Sequence, residues 1–391
     1  MKLILRLLAG IVIGILLGLV SPDWPLRLLL TFKSLFGQFI GFAIPLIILF
    51  FIMSGIASLG RSGGKLLGIT VGTAYSSTIL AGTLAVLLGL WIIPLLAGEP
   101  GETAEAGRVL EPFFRLEVPP VLPLSTALVA AFVFGIGIAA SGAERLRALA
   151  DEGRGVIEWL IGKLIIPLLP YYIAGIFAEL ALEGTVFATL RVFGQVLVFI
   201  LVLHWLWLTV LFLLAGAVTG KSPVKSLITM LPAYFTALGT MSSAATIPVS
   251  LRQNKANGVR PALANFAVPL FATIHLAGST ITLVGCAIAV MLLSPDLTPP
   301  PALAMIPFVL TLGVTMVAAP GAPGGAVMTA LALLQGMLGF PEAALGLMIA
   351  LYMAQDSFGT ACNVTGDGAL SLMVDRIADA PEISGQTAEE S

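Results

Sequence analysis

Charge is scarce in this chain. Only 10% of its 391 residues are Asp, Glu, Lys or Arg, while 58% are hydrophobic and the mean hydropathy is +1.05. Soluble domains carry about 25% charged residues, so the composition excludes that class and indicates a polytopic membrane protein. Histidine and cysteine are nearly missing, with two of each. Cys286 and Cys362 both fall in apolar segments, which argues against a disulfide framework and for two small buried hydrophobes. The sequence has no nucleophile–base pairing and no His/Cys metal cluster. Its glycine-rich patches lack the Gly-Lys-Ser/Thr ending that an ATP-driven pump needs. The expectation is therefore no enzyme, with any transport driven by an ion gradient or by the substrate's own gradient. A net charge of −2 gives no reason to expect nucleic acid as a partner.

Hydrophobic runs, by contrast, are abundant. Segments 3–20, 35–59, 66–98, 119–141, 155–182, 187–216, 260–293 and 342–374 are each suited to a spanning helix. The first has the charge order of a signal peptide, but its apolar run continues to Val20 without a small-residue cleavage pattern, so it reads as a retained helix. Two further stretches, 226–250 and 302–338, are interrupted in the middle. Their centres read Thr240-Met-Ser-Ser-Ala-Ala-Thr-Ile-Pro248 and Ala318-Ala-Pro-Gly-Ala-Pro-Gly-Gly325. A helix cannot run straight through Pro320 and Pro323, and freed backbone groups in hydrocarbon are tolerated only where they line protein or a wet cavity. Both stretches predict re-entrant helical hairpins, over 223–250 and 302–338, each followed by a full helix. That repeated pair is the pattern of a transporter with internal repeats and a midplane binding site.

The fold class expected is thus all-α and polytopic, with eight transmembrane helices plus two re-entrant hairpins. With the N-terminus inside, 14 of the 19 basic residues fall at cytoplasmic ends, which also puts both termini in the cytoplasm. Residues 1–377 form a single transporter unit in this reading, and 378–391 a disordered acidic tail. The outside loop 99–118 suggests no function.

Polar residues concentrate in a few places. If 355–367 is helical, Asp356, Thr360, Asn363 and Asp367 sit at i, i+4, i+7 and i+11, within a stripe roughly 60° wide. A carboxylate at membrane depth is costly, so it faces a cavity, a partner or a bound cation. Ser242 and Ser243, at the first hairpin tip, offer hydroxyls and free amides at a positive helix end, which suits a carboxylate. The second tip, Ala318 to Gly325, offers backbone oxygens that suit sodium, and glycine hinges that suit a gate. His275, Gly278 and Ser279 lie in the middle of 260–293. His275 could carry protons but is more simply a buried neutral histidine, and His204 reads as packing.

At these motifs the chain resembles the dicarboxylate/amino acid:cation symporter family, the glutamate-transporter homologues. Asn363-Val-Thr-Gly-Asp367 is identical to that family's last-helix motif. Ser242-Ser-Ala-Ala-Thr-Ile-Pro248 and Ala319-Pro-Gly-Ala-Pro-Gly-Gly325 are similar to its two hairpin tips, and Pro45-Leu-Ile and Ser54-Gly-Ile-Ala-Ser-Leu59 also fit. The resemblance spans essentially the whole chain. It implies an elevator-type fold in a homotrimer, in the lipid bilayer of a prokaryotic plasma (inner) membrane. The scaffold would be mainly the first, second, fourth and fifth helices, and the transport core the third, sixth, seventh and eighth with both hairpins. Asp356 would hold the substrate ammonium. Thr360, Asn363 and the hairpin serines, Ser243 foremost, would hold its carboxylate, with Ser279 and Ala319 nearby. Asp367 would ligate one sodium with backbone near Phe271, His275 and Asn363. A second sodium would use backbone around Thr273 and Gly313 to Met316.

Departures from the family sharpen the substrate. Acidic-substrate carriers place an arginine where this chain has Gly359, and the arginine sometimes found beside the hairpin serines is Met241 here. A second substrate carboxylate would then be buried unpaired, at a cost of several kcal/mol. The pattern from Gln355 to Asn363 looks most like the serine/threonine:sodium symporter branch, which implies a small neutral amino acid such as serine, threonine or alanine. Ala277, Ala81 and Gly82 remove oxygens that serve a third sodium site, so that site is expected to be lost, leaving one or two. His275, in place of the family's asparagine, keeps protons open as the coupling ion. A proton-coupled carrier of another zwitterion or organic acid, or a channel or sensor on this scaffold, are the alternatives.

Overall fold

A computed structural model describes residues 2–58, 65–97, 108–319, 321 and 323–378, and all regular structure in them is helical. The chain opens with α1 (Lys2–Val20), α2 (Asp23–Ser58), α3 (Lys65–Ala97) and α4 (Leu124–Ser141). Next, α5 (Glu144–Leu160) runs through a widened π turn (Ile161–Ile165) into α6 (Ile166–Leu182), and α7 (Val186–Thr219) follows. Two helical hairpins then alternate with longer units. They are α8 (Pro223–Thr240) with α9 (Ser243–Ala256), and α12 (Ala302–Ala318) with α13 (Gly325–Leu338). Between them lie α10 (Pro261–Ile274) and α11 (Ala277–Leu293), and α14 (Glu342–Ile377) closes the series. Among the described residues five helical stretches are long and apolar enough to cross a membrane: Asp23–Ala57, Leu66–Leu96, Glu144–Leu182, Val186–Thr219 and Pro261–Leu293.

Local chemistry explains the hairpin turns. Ser222 caps α8 by accepting from the Lys225 N–H, and Pro223 sits at the first helical position, where its missing donor costs nothing. The chain reverses at Met241, whose φ of 55° is left-handed without being glycine. Ser242 then caps α9 through the Ala245 N–H. In the second hairpin Ala319 is extended and Gly324 takes φ 75° to start α13.

Helix contacts concentrate in two groups, which meet where α2 packs on α12 and α13 and where α14 touches α1 and α6. α1 lies along α6, and α2 packs against α4, α5 and α6. Gly10, Gly14 and Gly18 make the first contact close, since a Cβ on each would stand 2.4, 2.3 and 2.5 Å from the backbone oxygens of Pro170, Ala174 and Ala178 on α6. A small residue every fourth position is how membrane helices gain van der Waals contact. The second group surrounds α14, which touches α7, α8, α9, α10 and α11, while α3 packs on α11, α12 and α7.

Three boundaries differ from the sequence expectation. The helix expected from residue 35 starts at Asp23, and the one expected from 155 continues an amphipathic α5 that starts at Glu144. Polar residues in both extensions hide them from a hydropathy reading. The segment expected to span 260–293 unbroken is split at His275 (φ −104°, ψ 103°) and Leu276 (φ −123°, ψ 42°). Residues 59–64 and 98–107, Pro320, Ala322 and the tail beyond Ala378 lie outside the described residues.

Candidate binding site between the hairpin tips

The two hairpin tips meet at α14. Ser242 Oγ donates to Gly321 O at 2.9 Å, joining tip to tip, and the Gly324 N–H donates to Asp356 Oδ2 at 2.8 Å. Beneath this contact lies a small cavity of about 20 Å³ lined by Met241, Ser243, Leu276, Ser279, Gly321, Ala326, Asp356, Thr360 and Asn363. That is room for roughly one water molecule, so the walls must part to admit anything larger. Asp356 is the one ionisable side chain in the lining.

Of the residues expected to contact substrate, Ser243, Ser279, Asp356, Thr360 and Asn363 line this cavity together. Thr360 Oγ1 donates to Asp356 O at 2.9 Å within the helix, and Ser243 is buried. Ser242, Ala319 and Gly359 do not line it: Ser242 is committed to the tip contact, and Ala319 ends α12 by donating its N–H to Met316 O at 3.2 Å. Gly359 is no open slot. A Cβ there would stand 3.3 Å from Thr282 Oγ1 and 3.4 Å from Ser279 N, so α11 packs directly against this position. Leu276 and Ala326 were missed by sequence reasoning, because apolar side chains carry no signal of a binding wall.

The break between α10 and α11 is capped from far away in sequence. Asn363 Oδ1 accepts from the N–H groups of Gly278 (2.8 Å) and Ser279 (3.2 Å), and its Nδ2 donates to Ser279 Oγ (2.9 Å). These are first-turn amides of α11 that have no partner inside the helix. His204 Nε2 sits 3.0 Å from Gly278 O; since a carbonyl only accepts, Nε2 carries the proton. The Gly278 backbone is thus held at its N–H by Asn363 and at its C=O by His204 and by the Thr282 hydroxyl (3.1 Å). His204 is therefore more than packing. Its partner is a backbone atom, which no motif announces.

One helical turn below, His275 joins three elements. Its Nδ1 lies 2.7 Å from Asp367 Oδ1 on α14 and its Nε2 2.9 Å from Ser77 Oγ on α3, and all three side chains are buried. Phe271 packs edge-on to the imidazole, with ring centroids 6.3 Å apart. Asp367 therefore has a fixed partner, and Ser77 is a member of the group that the sequence did not suggest.

Residues 3–377 match the sodium:dicarboxylate symporter family. The chain belongs to that family. It is 28% identical over 261 residues to the neutral amino acid transporter B(0) of Oryctolagus cuniculus and to that of Homo sapiens, covering 64% of this chain and 47% of either relative. It is also 28% identical over 304 residues to the serine/threonine transporter SstT of Streptococcus suis, covering 72% of this chain and 81% of that protein. The chain thus spans about half the length of the B(0) relatives it matches. Membership makes it an integral membrane protein of a transporter family and not an enzyme.

A sodium ion carried along with a substrate would be cargo, and the structure tests where oxygen ligands could gather. Helices α10 and α12 end near each other: Ala272 O is 3.6 Å from where a Cβ of Gly321 would stand, beside the close of α12. The last carbonyls of each helix lack intrahelical partners and carry partial negative charge, which fits a hard cation. Phe271 O already accepts from the His275 N–H at 2.9 Å. Thr273 is exposed, its hydroxyl bonded to Leu270 O at 2.7 Å, while Gly313 and Met316 are buried, Gly313 against Ile79. At the third position a Cβ on Gly82 would meet Thr280 Cγ2 at 2.9 Å, and the Thr280 hydroxyl is buried without a partner.

Proposed function

We propose that the chain is a secondary active symporter that imports a small neutral amino acid, of the serine, threonine or alanine kind, coupled to sodium. The observation that carries this reading is the cavity between the tips. One carboxylate, Asp356, faces hydroxyls and an amide, and no basic side chain lines the space. A zwitterion matches that lining. Its ammonium pairs with Asp356, and its carboxylate is met by Ser243, Ser279 and Asn363 near the positive start of α11. A second substrate carboxylate would be buried without a partner. The names of the SstT and B(0) relatives support the same substrate class.

Coupling follows from where the cation would sit. Sodium at the converging ends of α10 and α12, and sodium or another cation at Asp367, would each favour closure of the second hairpin over the substrate. One or two ions would move per substrate, the third site being lost with Ala277, Ala81 and Gly82. The division of helix contacts supports a scaffold of α1, α2, α4, α5 and α6 with a moving core of α3 and α7–α14, in an elevator-type cycle. A homotrimer in a prokaryotic inner membrane, with both termini cytoplasmic, completes the proposal.

The test is uptake into proteoliposomes against a panel of labelled amino acids, with sodium and proton gradients imposed separately. Concentrative uptake of serine, threonine or alanine driven by sodium is expected. Concentrative aspartate uptake, or uptake driven by a pH gradient and indifferent to sodium, would defeat the respective half of the proposal.

A further inference from the structure

A second polar cavity, of about 340 Å³, lies where α7 meets α8, α10 begins and α14 ends, with Thr219, Lys221, Arg260, Leu372, Asp375 and Arg376 in its wall. The wall carries three cations and one carboxylate. Asp375 is taken by Arg260, whose Nε donates to Oδ1 at 2.7 Å and whose Nη2 donates to Asp375 O at 2.7 Å and Ala378 O at 2.9 Å. Lys221 Nζ donates to the carbonyls of Asn257 (2.6 Å) and Gly258 (3.1 Å), which orient the ammonium without neutralising it. Arg376 is exposed and has no hydrogen bond or ion pair among the described residues. The cavity therefore holds an excess of two positive charges on side chains already fixed in place or free to turn inward.

Exposed apolar side chains stand close in sequence to this lining: Val218 and Ile377 adjoin Thr219 and Arg376, and Val224 follows Lys221 by three residues, exposed by 42%, 50% and 65% respectively. A free anion has no use for such side chains, and neither has a polar peptide. A ligand with an anionic head and hydrocarbon tails uses both. The count of basic residues puts this end of the molecule at the cytoplasmic leaflet, where basic pockets between membrane helices meet anionic headgroups.

We propose that this cavity binds the phosphate of an anionic phospholipid, with Arg376 and Lys221 on the headgroup and Val218, Val224 and Ile377 against the acyl chains. The site is distinct from the amino acid cavity, and it depends on membrane embedding alone, not on the identity of the transported substrate. Arg260, fixed by Asp375, contributes field rather than a new hydrogen bond.

Thermal unfolding of the purified full-length chain in detergent tests the proposal, with phosphatidylglycerol, phosphatidylcholine or inorganic phosphate added. Phosphatidylglycerol is expected to raise the midpoint well above the other two. Arg376→Gln should weaken its half-saturation about fivefold, as one basic residue near an anionic surface predicts, and Arg376→Lys should restore most of it. Equal stabilisation by phosphatidylcholine would overturn the proposal, and equal stabilisation by inorganic phosphate would make this a free-anion site. The tail carries Asp379, Glu382, Glu389 and Glu390. If deleting 379–391 and Arg376→Gln each destabilise the lipid-free protein alike, the occupant is the tail and the lipid assignment fails. None of these outcomes bears on amino acid uptake, so failure here leaves the transport proposal standing.

Discussion

Asp356 and Asp367 lie three helical turns apart on one face of α14 and are both buried, yet their partners differ in kind. Asp356 takes its hydrogen bond from the Gly324 N–H at a hairpin tip, and it opens onto a cavity. Asp367 is held by the His275 side chain, which Ser77 holds in turn. In the proposed cycle a backbone donor on a tip leaves when the tip swings, and Asp356 exchanges it for a ligand ammonium. A side-chain donor locked between three helices stays in place. The same residue type thus suits a changing partner at one position and a permanent one at the other.

Removing the charge at Asp356 should break the comparison hardest. Asp356→Asn keeps a hydrogen-bond acceptor for Gly324 but loses the partner of the ammonium, and is expected to weaken amino acid binding about 100-fold or more. Equilibrium binding to the purified variant reads this directly, and unchanged affinity would show that the ammonium assignment is wrong. Asp367→Asn, by contrast, should raise the sodium concentration for half-maximal uptake about tenfold while saturating sodium restores most of the amino acid affinity. Equal loss of both affinities would erase the distinction between the two carboxylates.

Smaller effects test the supports. His275→Ala leaves Asp367 without its donor and should cost about 2 kcal/mol of stability, visible as a lower unfolding midpoint. An unaltered midpoint would mean that the bond contributes nothing. His204→Phe removes one of the two side-chain donors to Gly278 O, leaving Thr282, and is expected to raise the Michaelis constant several-fold, with His204→Gln recovering much of it through its amide; no recovery would reduce His204 to packing. Ser242→Ala loses both a helix cap and the tip contact, about 1 kcal/mol, and should speed amino acid release about fivefold. Slower release would put the gate elsewhere.

Much of this was legible in the sequence where the signal is local. Pro320, Pro323 and the glycines around them, or Thr240 to Ser243 inside an apolar run, interrupt a helix by their own chemistry, and α12 and α8 end at Ala318 and Thr240. The spacing of Asp356, Thr360, Asn363 and Asp367 fixes a common face by helix geometry alone. The break at His275–Leu276 was not legible, because its amides are capped by Asn363 from another helix and no nearby proline or capping side chain marks it. Ser77 and His204 stayed hidden for the same reason: each acts on an atom far away in sequence. Gly359 reads as a missing cation, and the structure adds that Thr282 and Ser279 pack directly against it.

The central claim is that Asp356 selects an ammonium in a site with no second cation. Competition binding on the purified protein, in saturating sodium, compares serine, aspartate and the hydroxy acid that serine becomes when its ammonium is removed. Serine should displace a labelled neutral amino acid while the other two, at a hundredfold excess, do not. Displacement by the ammonium-free acid, or by aspartate as readily as by serine, would contradict it.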